Sequence, residues 1–146
     1  MDTLSPVFIA TVGEREVLLG EHANWIVKHG PHWCDTPGLR AQHSLMWLPL
    51  LEHEYPAVRA ALVAGLAQAG LQPAEQQVLT FPVQDLLSLA LTSAASLYWV
   101  DLALHWASHV GLAPDLIPVV RNMALNPAIG QPTRHRAKRL YYTGKA

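Results

Sequence analysis

Charged side chains are scarce: Asp, Glu, Lys and Arg make up 14% of the 146 residues, where about 25% is usual. Set beside an apolar share of 51%, that scarcity excludes intrinsic disorder, which needs the opposite balance. Cysteine occurs once, as Cys34, so no intrachain disulfide can form and a reducing cytoplasm is the expected compartment. Glycine shows no period, which excludes a collagen-like chain. Long hydrophobic runs are missing as well. No uncharged stretch exceeds fifteen residues, and the one between Asp85 and Asp101 is broken by Ser88, Thr92, Ser93 and Ser96, against roughly 20 for a bilayer span. The start, Met1 to Pro6, carries no positive region, and the apolar run Val7–Val12 is too short for a signal peptide. No membrane span and no targeting signal are therefore expected. A Gly-rich phosphate loop, G-x-S-x-G and H-E-x-x-H are all absent. Nothing in the sequence names a reaction.

What is present is one domain's length of chain, enough to bury a core unaided. Its 21 formal charges must wet on the order of 7,000 Å² of surface, or roughly one charge per 350 Å² where average composition gives about one per 200 Å². Such a surface points to an oligomer or a subunit of a complex. The net charge of −1 conceals a polarity. Residues 1–120 hold all eleven acids and only Arg15, Lys28, Arg40 and Arg59 as bases. From Arg121 onward there are six bases and no acid.

Leu and Ala number 43 against 16 Ile plus Val, a ratio that favours helix over strand. The pattern predicts an all-α protein, with residues 1–146 as a single domain. The architecture expected is a bundle or short stack of antiparallel helix pairs, about six or seven helices joined by short connections. Val7–Val12 before Gly13 is the exception, a short strand or packed extended arm. Leu19, Ala23, Ile26 and Val27 share a helical face that closes at Gly30-Pro31. Thr36-Pro37 signals a helix start, with Leu39, Met46, Trp47 and Leu50 as a stripe broken near Pro49. Pro56 to Gly70, Pro82 to Gly111 with a break near Ser93–Ser96, 115–125 and 132–142 supply the remaining helices. Residues 131–146 form a basic C-terminal helix or tail.

Pro56-Ala57-Val58-Arg59 recurs as Pro118-Val119-Val120-Arg121. With the Ala and Leu positions that follow, Tyr55 to Gly70 and, more loosely, Leu116 to Leu140 resemble HEAT-type helical repeats, over about a third of the chain. The resemblance implies stacked helix pairs and a binding surface rather than catalysis.

Histidine offers the chemistry. Asp101, His105 and His109 lie at i, i+4 and i+8 with Ser108 on the same face. Two such side chains one turn apart can grip a zinc ion, but Asp101 and His109 stand about 12 Å apart along the axis and cannot share it. The plainer account, a solvated polar stripe, is favoured, and the three remain candidates for metal-dependent or His-based catalysis. A second candidate metal set is His29, His32 and Cys34 around Gly30-Pro31, with His22 and His43 flanking. Its pairing is incomplete for a structural zinc. His43 itself shares a face with Leu39, Met46, Trp47 and Leu50 and reads as a core or interface histidine.

At the C-terminus, Arg134, Arg136, Lys138 and Arg139 border an apolar seam of Ala137, Leu140 and Tyr141. Arg134, Arg136, Lys138, Arg139 and Tyr141 are the candidate partner-binding residues. A protein partner, or self, is preferred, because the seam needs an apolar surface to lie on. A nucleic acid is the other occupant considered. The composite reading is a cytoplasmic, non-enzymatic, macromolecule-binding helical protein without a cofactor. Its runners-up are a metal-dependent or His-based enzyme with zinc and a nucleic-acid binder using the basic helix. The Leu, Ala, Arg and Pro bias with three Lys suggests a bacterial or viral source.

Overall fold

The computed structural model describes residues 5–41, 45–93 and 96–143. Its chain forms two compact units, Met1–Val83 and Gln84–Ala146. The first opens with a four-stranded antiparallel meander in the order β1 (Val7–Val12), β2 (Arg15–Leu19), β3 (Trp25–His29) and β4 (His32–Asp35). This sheet overturns the all-α expectation: the chain is mixed α/β and not a purely helical repeat.

The cause is local composition. Averaged over the chain, Leu and Ala swamp Ile and Val, but residues 7–35 hold six Ile or Val against four Leu or Ala. β-Branched and aromatic side chains fit a pleated, half-buried surface. Val17, Leu19, Trp25 and Val27 alternate inward and are buried, while Glu16, Leu18, Ile26 and Lys28 alternate outward. Leu19, Ala23, Ile26 and Val27 met the helical spacing by coincidence. Gly30-Pro31, expected to stop a helix, instead turns β3 into β4, with Gly30 at φ +62° and His29 paired to His32. The β2–β3 turn is less ordinary. His22 and Ala23 both adopt left-handed backbone, at φ 57° and 58°, as a tight hairpin turn requires. Neither is the Asn or Gly that such positions favour.

Helix α1 (Thr36–Arg40) starts at the expected Thr36-Pro37 signal, capped by Asp35, whose Oδ1 accepts from the Gly38 amide at 2.9 Å. His43 lies outside the described residues, and Leu48–Glu52 forms a 3₁₀ turn. Helix α2 (Tyr55–Gln68) buries Val58, Leu62 and Leu66, one face at i, i+4 and i+8, and packs on β1. Gly65 makes that packing so close that a Cβ at this position would run into the Ile9 carbonyl oxygen. Arg59 of α2 pairs with Glu75 of α3 (Ala74–Gln77) at 2.6 Å, and this hydrogen bond and charge raise the guanidinium pKa further.

Trp25, Trp47 and Phe81 fill the centre of this unit. Phe81 stands edge-on to Trp25 at 5.2 Å and tilted to Trp47 at 5.7 Å. Both indole N–H groups donate, Trp25 Nε1 to Thr80 Oγ1 at 2.8 Å and Trp47 Nε1 to the Cys34 carbonyl at 3.1 Å. Thr36 Oγ1 accepts from the Trp25 amide and donates to the Trp25 carbonyl.

The second unit is helical among its described residues. Helix α4 (Val83–Ser88) continues into a π-helical turn at Leu89–Ser93, followed by α5 (Leu97–Val110), α6 (Ile117–Leu125) and α7 (Gln131–Thr143). Ser96 caps α5 by accepting from the Tyr98 amide, where the sequence predicted a break. Gln84 braces the turn beyond the far end of α5. Its Nε2 donates to the Gly111 carbonyl at 3.2 Å and its Oε1 accepts from the Ala113 amide at 2.8 Å. No helix among the described residues is long and apolar enough to cross a membrane.

Two substitutions test these constraints by chemical denaturation. Gly65→Ala must push α2 off the β1 backbone and should destabilise the protein by about 3 kcal/mol, at the upper end for overpacking. Ala23→Gly removes the Cβ from a left-handed residue, where it costs roughly 1–2 kcal/mol, and should raise stability by about 1 kcal/mol.

Candidate functional site

Helix α5 is amphipathic in the sense expected. Val100, Ala103, Leu104, Trp106 and Ala107 are buried, and His105, Ser108 and His109 are exposed. The helical period therefore stacks the two imidazoles one turn apart on the solvent side. Their ring centroids are 5.4 Å apart with the planes nearly perpendicular, and a nitrogen of one ring lies within 4.8 Å of a nitrogen of the other. Zinc–nitrogen bonds of 2.0–2.1 Å in tetrahedral geometry need about 3.3 Å between the two nitrogens, a gap that side-chain rotation on an exposed helix can close. The pair also occupies the last turns of α5, where the helix macrodipole favours a cation. The exposed Ser108 hydroxyl donates back to the His105 carbonyl on its own helix.

Asp101 does different work from its neighbours. Its Oδ1 accepts from Thr133 Oγ1 at 2.8 Å and pairs with Arg136 Nη1 at 3.1 Å. Thr133 is buried, so the carboxylate satisfies a hydroxyl that would otherwise be lost to water. Asp101 thus fastens α7 to α5, and Asp101, His105 and His109 do not converge on one point. The sequence could not distinguish these roles, because the spacing i, i+4, i+8 is blind to what packs beside the first residue.

The second histidine set is likewise divided. His29 and His32 face each other across the β3–β4 hairpin end, both exposed, and His29 Nε2 lies 3.7 Å from a Glu14 carboxylate oxygen. Cys34 is buried further along β4, its Sγ directed to the Asp35 carbonyl. His29, His32 and Cys34 do not gather as a three-donor cluster.

In α7, Ala137 and Leu140 are buried and Tyr141 is half-buried, while Lys138 and Arg139 are exposed. Arg136 is engaged with Asp101. Arg134 is half-buried, with its Nε shielded from water and lacking a hydrogen-bond partner. Tyr141 meets Tyr142 edge-on at 5.0 Å, and with Leu112, Ile117 and Leu140 they line a cleft of about 410 Å³.

One polar cleft in the first unit had no signal in the sequence. About 540 Å³ in volume, it is lined by Glu21, His22, Asn24, Thr36, Arg40 and Thr80. The lining comes from three separate segments that fit no motif, and the left-handed His22-Ala23 turn that shapes its rim does not resemble one chemically.

Asp101→Ala should cost about 2 kcal/mol by leaving Thr133 buried and unsatisfied, as measured by denaturant unfolding. No family model matches the chain, and no curated protein or solved structure matches it either.

Proposed function

We propose that the protein binds a divalent transition-metal ion through His105 and His109, and that this ion is the centre of its chemistry. The carrying observation is the pair of exposed imidazoles one helical turn apart, with ring nitrogens within 4.8 Å. A two-histidine chelate leaves at least two positions of a tetrahedral ion for water or for oxygens of a bound molecule. An ion held that way can polarise an oxygen or lower the pKa of its water. Imidazole suits zinc, copper and nickel, with copper(II) the tightest of the divalent series. Asp101 serves as a positioning residue for α5 rather than as a ligand, since its carboxylate is held by Thr133 and Arg136.

Calorimetric titration with zinc and copper(II) tests this. One ion should bind per chain, and uptake should fall on acidification because coordination requires unprotonated imidazole. His105→Ala and His109→Ala should each weaken binding by more than the roughly 10- to 100-fold that loss of a ligand's supporting hydrogen bond costs. Asp101→Asn should leave it unchanged. Equal uptake by wild type and the double alanine variant, or no stoichiometric uptake, would overturn the reading.

A further inference from the structure

The outward face of the β-sheet carries Phe8, Leu18, Ile26 and Trp33 among its polar residues, more large apolar side chains than a lone domain needs there. Antiparallel sheets with one solvated face normally alternate apolar inward with polar outward. Here the registers set Phe8, Leu18, Ile26 and Asp35 in one outward row across β1 to β4, and Thr11, Glu16, Lys28 and Trp33 in the next. Trp33 is 62% exposed and Phe8 53%, and Leu18 and Ile26 are half-buried. Exposed contiguous apolar surface marks an interaction site, and Trp is the side chain most often found to anchor one.

The charges on this face identify the occupant. Glu16 and Lys28 stand opposite each other on the two central strands. A two-fold axis running parallel to the strands reverses the strand order from β1–β4 to β4–β1 while preserving the rows. It lays Leu18 on the partner's Ile26 and Glu16 on the partner's Lys28, each contact occurring twice, and at the outer strands sets Trp33 over the partner's Thr11 and Phe8 over the partner's Asp35. An axis in the sheet plane but across the strands would lay Leu18 on the partner's Glu16 instead. Of these two operators the first alone matches apolar to apolar and acid to base across the central strands, as a self-complementary isologous contact requires at its centre. We propose that this sheet face pairs with the same face of a second copy of the chain, through that two-fold axis. Four strands at about 4.8 Å and five residues at about 3.4 Å give a face roughly 19 by 17 Å. That is small beside standard interfaces, so the dimer is reversible and depends on concentration.

Light scattering over a concentration series, with three exposed-position variants, tests the geometry. The wild type should pass from monomer to dimer, with Trp33 emission shifting to the blue as its ring is covered. Glu16→Lys and Lys28→Glu each place like charges across both contacts and should remain monomeric, with circular dichroism confirming that they fold. Mixed in equal amounts, the two variants regain acid opposite base at both contacts and should form a heterodimer, an effect that the cross-strand pair within one chain cannot produce. Trp33→Ser should weaken the wild-type dimer. A wild type that stays monomeric when concentrated overturns the proposal. So does self-association that persists in the single charge variants, or a mixture of them that stays monomeric.

Discussion

The packing of Trp25 is the constraint on which the first unit depends. Its side chain is fully buried between the sheet and Phe81, and every polar group it carries into the core is answered. Thr36 takes its amide and its carbonyl through one hydroxyl, and Thr80 takes its indole N–H. A buried indole without a partner would bear the full desolvation cost of its N–H, so these bonds decide where the ring can sit. They also locate other elements. Thr36 is the first residue of α1, and its amide donates to Asn24 Oδ1 beside the β2–β3 turn. One aromatic residue therefore joins the sheet, the first helix and the segment before Pro82.

The longer helices were legible in the sequence, whereas α3, the early end of α1 at Arg40 and three of the four strands were not. Val58, Leu62 and Leu66 recur at the helical period and fall on one buried face of α2, because apolar stripes and burial are the same fact seen twice. Val7–Val12 was readable as extended because no helical stripe competed with it. Over residues 15–29, Leu19, Ala23, Ile26 and Val27 satisfied a helical period while Val17, Leu19, Trp25 and Val27 satisfied a strand one. Short apolar runs support both, and the chain-wide excess of Leu and Ala tipped the reading the wrong way. The turn that would have settled it, His22-Ala23, lacks Asn or Gly at its left-handed positions.

The histidines show the same limit at the level of chemistry. Sequence spacing brings His105 and His109 together because a helix fixes neighbours one turn apart. It cannot report that Asp101, equally well spaced, is turned to α7, since that depends on Thr133 and Arg136 more than thirty residues away. Nor could it part Cys34 from His29 and His32, which is a matter of how deep each lies in a hairpin. Short-range geometry is written locally; commitment of a side chain to a distant partner is not.

The bridge made by Gln84 carries a consequence for how this protein ages. Its side-chain NH₂ donates a hydrogen bond to the Gly111 carbonyl and its oxygen accepts one from the Ala113 amide, so it must be donor and acceptor at once. Only an amide does both with fixed polarity. Deamidation exchanges the NH₂ for an oxygen and turns the donor into a second acceptor. A carboxylate would then face the Gly111 carbonyl, repelling it while still holding the Ala113 amide. The turn after α5 would be opened on one side by a change of a single heavy atom, with no residue replaced by any gene.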